Sequence, residues 1–475
     1  MTHLYLSASH KSSGKTSISI GLLAAFAERG LAVQPFKKGP DYIDPLWLTL
    51  AAGRPCYNLD YNTQSDAEIA ALFTRHGRSA NFSLIEGNKG LYDGIDVEGS
   101  DCNAALANLL QTPVILVLDT QGITRGLVPL VLGYQAFDTD LTIAGLILNR
   151  VASPRHENKL RASLEHYTDI PILGAIGRYQ ELVVTERHLG LTTPCEQGAS
   201  KAKIECLKMA VTEGVDIDQV LEIAGGTPAP AATGESRSPT LRADIRIGVA
   251  RDAAFSFHYQ DDLEALERAG AELVFFNALK DEQLPDVDGL FLGGGFPETQ
   301  MAALEANASL RGEIRQAAKN DMPIYAECGG LMYLCRSISW RDETCQMAGV
   351  IPADAVMHAR PQGRGLMRLE ETAASPWPLP AAGAQAPVQF TAHEFHYAAL
   401  ENCPSDMEFA YRVLRGRGVD GRSDGIVTSN VLANFCHLRD TGQNHWAERF
   451  AVFVRDCRDR GKIHQHLDSE HALSP

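Results

Sequence analysis

Short apolar runs alternate with helix-period stretches along almost the whole chain. The run His3-Leu4-Tyr5-Leu6-Ser7-Ala8 is followed by a helical pattern over 18–29, and further apolar runs occupy 32–36, 82–85, 245–250, 287–292, 322–326 and 431–436. Three of them are closed directly by glycine or a carboxylate, at Glu86, Gly293 and Glu327. Runs of this length without polar alternation predict strands buried on both faces, and their separation by helical stretches predicts parallel sheets with helices on either side. We therefore read the chain as α/β, with two doubly wound parallel-sheet domains. Residues 225–236 are rich in Pro, Gly and Ala and carry no apolar period, which reads as a linker behind an amphipathic helix over 216–224. The expected organisation is a first domain over 1–195, helix and linker over 196–242, a second domain over 243–460 and a polar, frayed tail over 461–475. Residues 376–387 read as an alanine- and proline-rich loop with no assigned chemistry.

Composition narrows the partners more than the fold. With 475 residues each of two domains can bury a full core, and 45% hydrophobic with 21% charged residues argues against wholesale disorder. A formal charge of −16 argues against nucleic acid as a partner, because phosphate backbones demand a basic face. The ten cysteines include no CxxC pair, so no zinc site is expected. No apolar run approaches the roughly twenty residues that span a bilayer, and no leader pattern opens the sequence. The protein is expected in the cytoplasm, off the membrane, with its thiols reduced.

Chemistry enters at Cys328. The stretch Met322-Pro323-Ile324-Tyr325-Ala326-Glu327-Cys328-Gly329-Gly330-Leu331-Met332 reads as a strand, a sharp turn and a helix start, the form of a nucleophile elbow. A helix N-terminus beyond the sulfur would favour thiolate over thiol. A buried cysteine at a strand end is the plain alternative. Two features weigh against it. Upstream, a strand runs into Gly293-Gly294-Gly295-Phe296-Pro297-Glu298, a loop whose bare N–H groups, with that of Gly329, could hold an oxyanion. Downstream, Val431-Leu432-Ala433-Asn434-Phe435-Cys436 ends in His437, as the general base of a thiol requires. Together and in this order they resemble the class I glutamine amidotransferase domain, in which a cysteine takes the amide of L-glutamine as a γ-glutamyl thioester and releases ammonia. One departure stands out. The glutamate usually found two residues after the histidine is replaced by Arg439, and nothing in the spacing favours nearby Asp440 as its substitute.

In the N-terminal half, the first strand leads into Ser9-His10-Lys11-Ser12-Ser13-Gly14-Lys15-Thr16 and then a helix, which reads as a phosphate loop whose first glycine is replaced by Ser9. Lys15 would reach the β- and γ-phosphates, Thr16 would ligate magnesium, and the amides of the turn would cradle oxygens. A serine-rich turn is the alternative. The loops Lys37-Lys38-Gly39-Pro40-Asp41-Tyr42-Ile43-Asp44-Pro45 and Glu86-Gly87-Asn88-Lys89-Gly90-Leu91-Tyr92-Asp93-Gly94 follow further strands. Either they are ordinary solvated loops or, as ligands gather at the carboxyl ends of parallel strands, they converge with the phosphate loop on one crevice. Their carboxylates then read as magnesium ligands and positioning groups.

FKKGPDYIDP, the EG followed by GLYDG, LILNRVASPRH, ERHLGL, GVARDAAF, LGGGFPE, YAECGGLMYL and HEFHY resemble the cobyrinic acid a,c-diamide synthase family from about residue 4 to 454. The resemblance implies a P-loop, dethiobiotin-synthetase-like domain followed by a class I glutamine amidotransferase domain. It further implies ATP- and magnesium-dependent amidation of acetate carboxylates on a tetrapyrrole polycarboxylate. On this chain it implies Cys328 as nucleophile with His437 as base and Gly294, Gly295 and Gly329 at the oxyanion. Ser12, Ser13, Gly14, Lys15 and Thr16 would meet ATP, Lys38, Asp41, Tyr42, Asp44 and Asp93 the acceptor, and Thr16 and Glu86 the metal. Lys37, Lys38 and Lys89 are the candidates for a basic patch against a polyanionic macrocycle. Family positions altered here are Asn88 and Lys89, usually apolar, Trp47 and Leu48, usually phenylalanine and histidine, and Arg439, often a second histidine. These changes make a sirohaem-type substrate the leading variant beside cobyrinic or hydrogenobyrinic acid. A homodimer is also expected. Two other functions stay open, a partitioning-type P-loop ATPase switch and a noncatalytic tetrapyrrole carrier.

Overall fold

The computed structural model describes residues 2–178, 186–187, 190–191, 194, 200–226, 240–378 and 388–472, with the backbone alone at 186–187, 190–191 and 462–472. Of the linker expected at 225–236, residues 227–236 lie outside the described residues, as do 379–387 of the loop at 376–387 and 188–189 of the ERHLGL stretch. The chain divides into two compact units, Met1–Ser236 and Arg237–Pro475.

The first unit is built on β1 (His3–Ala8), β2 (Val33–Lys38), β3 (Tyr57–Leu59), β4 (Phe82–Glu86), β5 (Val114–Asp119), β6 (Ile143–Val151) and β7 (Ile172–Gly177). They form one seven-stranded sheet in the order β3-β2-β4-β1-β5-β6-β7, parallel throughout. The central strands are buried from end to end, as strands covered on both faces must be. The loops after β1, β2 and β4 leave neighbouring strands at the same edge, and the strand order reverses at β1, where ligands gather in such sheets. Helix α1 (Lys15–Glu28) follows β1 and packs closely on the helix Ser200–Gly214. A methyl group on Gly21 would lie 2.4 Å from Val211 Cγ2 and 2.7 Å from the Leu207 carbonyl. Helix α2 (Ile43–Ala52) follows β2, with Trp47 and Leu48 in the core. Two short strands, β8 (Glu186–Arg187) and β9 (Gly190–Leu191), pair antiparallel.

The second unit begins with β10 (Ile245–Ala250), β11 (Ala271–Phe276), β12 (Gly289–Leu292) and β13 (Ile324–Glu327). There follow β14 (Ser337–Trp340), β15 (Glu343–Gln346), β16 (Asp354–Met357), β17 (Gly363–Glu371) and β18 (Gln389–His396), then β19 (Ala398–Glu401), β20 (Glu408–Arg415), β21 (Ser423–Thr428) and β22 (Val431–Asn434). The main sheet runs β11-β10-β12-β13-β22-β21-β20-β17-β18. It is parallel from β11 to β22, as the apolar runs predict, and continues through four antiparallel strands that they do not. A separate sheet, β15-β14-β16-β19, flanks it. In β12, β13 and β22, Leu290, Leu292, Ile324, Ala326, Val431 and Ala433 face one core, while Phe291, Tyr325 and Leu432 face the other. That period of two fixes which side chains reach each face. The last helix, Trp446–Ala472, carries its backbone through the stretch expected above to fray.

Candidate active sites

At the nucleotide-binding edge, the turn after β1 closes with Ser12 at φ 62° and Gly14 at φ 91°, conformations that glycine adopts without strain and serine only when held. Asn149, at the end of β6, holds it: its Nδ2 donates to the Ser13 carbonyl at 2.8 Å, and a Cβ on Gly14 would lie 2.1 Å from the same nitrogen. Lys15 opens α1 and is buried; its Nζ donates to the Lys89 carbonyl at 2.5 Å. Burial, then the Lys37 ammonium, lower its pKa to about 8.

Thr16 Oγ1 donates to Glu86 Oε1 at 2.7 Å and lies 3.3 Å from Asp44 Oδ2. The same two carboxylates hold Lys37, at 2.5 Å from Asp44 and 2.8 Å from Glu86. Burial alone would lower the pKa of Lys37, but Asp44 and Glu86 outweigh it and hold the ammonium well above its usual range. Burial pushes Glu86 upward, the Lys37 ammonium opposes it, and the neighbouring Asp44 carboxylate adds to it. This corrects the reading of Lys37 as part of a surface patch: it is 2% exposed and neutralised from within. Lys38 is also buried, with Nζ 3.4 Å from Asn88 Oδ1, so Lys89 alone of the three lysines is exposed.

Asp41 caps α2, accepting from the Ile43 and Asp44 amides at 2.9 and 3.1 Å. Burial and then Asp44 raise its pKa to about 7. Tyr42 is buried beside it. Asp93 is exposed and accepts from the Gly90 amide at 2.9 Å. Asn103, which the sequence gave no reason to single out, clamps the loop after β4. Its Oδ1 accepts from Tyr5 Oη at 2.9 Å and the Asn88 amide at 3.0 Å, and its Nδ2 donates to the Asn88 and Gly90 carbonyls at 2.6 and 2.5 Å. Of the altered family positions, Trp47 and Leu48 are fully buried in the core and so do not face a substrate; Asn88 and Lys89 lie on the clamped loop.

In the second unit, β13 leads into Cys328, whose φ of 45° and ψ of −96° make the sharp turn into the helix Gly329–Leu334. A non-glycine residue there is strained, as a nucleophile elbow is. The Cys328 amide donates to the Asn434 carbonyl at 2.7 Å, tying the elbow to the end of β22. The glycines are required by close approach: a Cβ on Gly330 would lie 2.1 Å from the Leu292 carbonyl, and one on Gly295, at φ 154°, 2.0 Å from that of Ala254. A Cβ on Gly294 would lie 2.6 Å from His437 Cε1, and one on Gly329 would lie 3.0 Å from the Gly295 nitrogen. Elbow, glycine loop and histidine are thus brought together.

The sulfur departs from expectation in its charge. Burial raises the Cys328 thiol, with Glu298 and Glu327 adding to the effect, and the amide of Gly329 offsets it only in part. The six-residue helix beyond is too short to overcome desolvation, so the thiol is held above its ordinary range rather than below it. His437 is buried, its Nδ1 3.4 Å from Glu327 Oε2, while the ring of His393 stacks on it at 4.9 Å and 18°. Arg439 pairs with Asp261 at 2.7 Å, with its guanidinium 4.4 Å over the Tyr259 ring. Every described cysteine is free.

A nucleotide cradle in one unit and a cysteine elbow beside a histidine in the other are the two halves of a glutamine-dependent amidotransferase ligase, and that is the class of this chain. Residues 7–189 match the CobQ/CobB/MinD/ParA nucleotide binding domain and residues 246–444 the CobB/CobQ-like glutamine amidotransferase domain. The sequence is 44% identical over 471 residues to the cobyrinate a,c-diamide synthase of Magnetococcus marinus, covering 97% of this chain and 98% of that protein. It is 38% identical over 466 residues to the synthase of Methanosarcina acetivorans, covering 91% of each. With that of Archaeoglobus fulgidus it shares 39% over 439 residues, 92% of this chain and 94% of that one. The chain belongs to the cobyrinate a,c-diamide synthase family. No helix of the described residues is long and apolar enough to cross a membrane.

Proposed function

We propose that the protein amidates the a- and c-acetate side chains of cobyrinic acid in the cytoplasm, using ATP and L-glutamine. The observation that carries this is the relatives' match over nine-tenths or more of the chain, through both sites, under one enzyme name. It favours a ligase over the ATPase switch and the carrier.

A carboxylate does not accept ammonia unaided, because oxide is too basic a leaving group. Transfer of the γ-phosphoryl group of ATP to an acetate oxygen makes an acyl phosphate, on which ammonia displaces phosphate. Ser12, Ser13 and Gly14 offer the turn to the phosphates, and Lys15, drawn off the Lys89 carbonyl, supplies positive charge to the moving group. Thr16 and Glu86 fit a magnesium ion: both present hard oxygens, and Glu86 Oε2 is buried without a hydrogen-bond partner. Bound there, the ion would shield phosphate charge. Asp44 and Lys37 stand beside them, and Lys38, Asp41, Tyr42 and Asp93 border the acceptor crevice.

In the second unit, His437 takes the thiol proton as Cys328 attacks the glutamine carboxamide. The oxygen is received by amides at Gly294, Gly295 and Gly329. The C–N bond then breaks with the proton passing to nitrogen, ammonia leaves, and water hydrolyses the thioester to glutamate. The test is mass spectrometry of cobyrinic acid, hydrogenobyrinic acid, sirohaem and nickel-sirohydrochlorin incubated with the protein, ATP, magnesium and glutamine. Cobyrinic acid is expected to exchange two hydroxyls for amino groups. Amidation of sirohaem instead would overturn the substrate and point to Asn88 and Lys89 as its readers.

A further inference from the structure

The glutaminase reading leaves the orientation of His437 without a named residue. Resting on that reading, we propose that Glu327, the residue immediately before the nucleophile, is the positioning residue that completes a Cys328–His437–Glu327 triad.

The carboxylate grips both the ring and the backbone behind it. Its Oε2 lies 3.4 Å from His437 Nδ1, and its Oε1 accepts from the Leu438 amide at 2.9 Å and from the Tyr325 hydroxyl. It is 3% exposed. A carboxylate taken out of water is costly unless several donors meet it, and groups of three residues meet this one. Strand register brings them together: β13 and β22 run parallel with Glu327 opposite Asn434, and His437 lies three residues beyond on the extended end. Glu327 shares a face with Tyr325, whereas Cys328 is turned away by its own φ. Adjacent residues therefore reach the histidine from different directions.

The chemistry follows from which nitrogen faces the carboxylate. A partner at Nδ1 keeps the proton there and leaves the Nε2 lone pair for the proton of the thiol. It then stabilises the imidazolium so formed, without itself taking a proton. The carboxylate nearest in sequence is otherwise engaged. Asp440 Oδ2 accepts from the Ala447 amide at 3.0 Å and its own amide donates to Asp262 at 2.8 Å, which fastens the segment after His437 to the helix Gln260–Arg268. Arg439, bound to Asp261, fastens it a second time. Titratable or charged groups around His437 and Cys328 include Glu327 from β13, Glu298 from the segment after the glycine loop, His393 from β18, His258 from the segment before that helix, and Arg439. Burial, with His437 and Arg439 adding, lowers His393, and burial lowers His258 to about 3, while Glu298 acts on the sulfur; Glu327 is the carboxylate whose oxygen lies at Nδ1 of the ring.

The experiment measures glutamate release from glutamine across pH for the wild type, E327Q, E327D and D440N, with ammonia-dependent amidation and the unfolding midpoint alongside. E327Q is expected to lose about 10²–10³-fold in kcat with KM within about 3-fold. Its acid limb should move about one unit lower, because the imidazolium loses its counter-charge and the neutral base persists to lower pH. E327D, which keeps the charge, should retain the wild-type limb with about a 10-fold lower kcat. D440N should stay within about 2-fold of wild type. A buttress that only held the backbone would lower activity without moving the limb. The proposal is overturned if E327Q keeps both kcat and limb, if its limb stays in place, or if D440N shows the loss and shift instead. Should E327Q not fold, E327D decides: an unchanged kcat overturns the proposal. Glutamate release by C328A would instead remove the glutaminase reading itself.

Discussion

In the nucleotide-binding unit, Lys15, Lys37, Asp44 and Glu86 stand among one another as ionisable groups, with Lys37 bridging both carboxylates and Thr16 bonded to one of them. In the glutamine amidotransferase unit Cys328 is buried among glycines at van der Waals limits, and burial holds its thiol above the usual range. On the proposed function, the first site is prepared for charge that its substrate carries in. The second would make charge only when glutamine arrives, and relies on shape until then. Similar strand-end loops thus serve opposite electrostatic ends, and motif position alone does not say which.

The sharpest way to break this contrast is to disable each half. Cys328→Ala should abolish glutamine-dependent amidation and leave the ammonia-dependent reaction, whereas Lys15→Ala should lower both by about 10³-fold. Equal loss of both activities in Cys328→Ala would end the division of labour. Next, Gly294→Ala places a methyl group 2.6 Å from His437 Cε1, and should cost about 10²-fold in glutamate release while sparing ammonia-dependent turnover. Glu86→Gln keeps the shape but removes charge from the other site. Amidation from either nitrogen source should fall about 10²-fold, with a raised magnesium requirement read by titration.

The smallest effect concerns stability. Asp41 titrates at about 7 in the folded protein, through burial first and Asp44 second, against about 4 when unfolded. Between those values the unfolded chain releases a proton that the native state keeps, so stability falls as pH rises through the window. Asp41→Asn escapes that loss. Its advantage over wild type in denaturant unfolding should grow by about 2–3 kcal/mol from pH 5 to pH 8. A constant difference would show that the charge of Asp41 is already compensated.

What the sequence disclosed was local. The phosphate loop and the elbow each lie within a dozen residues, and their glycines announce turns whatever else the chain does. Lys37 was misjudged because Glu86 becomes its neighbour only when β2 and β4 pair, and Asp44 only when the first turn of α2 folds back on β2, while a lysine beside a Gly-Pro turn looks solvated. Glu327 stood in plain view but its partner is 110 positions away, and only the register of β13 on β22 joins them. Trp47 and Leu48, taken as signs of altered substrate handling, turn out to be core residues of α2. The antiparallel strands beyond β22 were not foreseen because half-buried strands carry polar residues on one face and lose the continuous apolar signal.

The strict front-and-back assignment of side chains in β13 has one more implication. Ile324 and Ala326 fill one compartment, Tyr325 and Glu327 the other. Deleting a single residue from this strand would exchange aliphatic for aromatic content on both sides at once and carry the carboxylate away from its imidazole. The reactive centre is indexed to the polypeptide by odd and even numbers, and an edit that preserves its whole chemical inventory can still erase it.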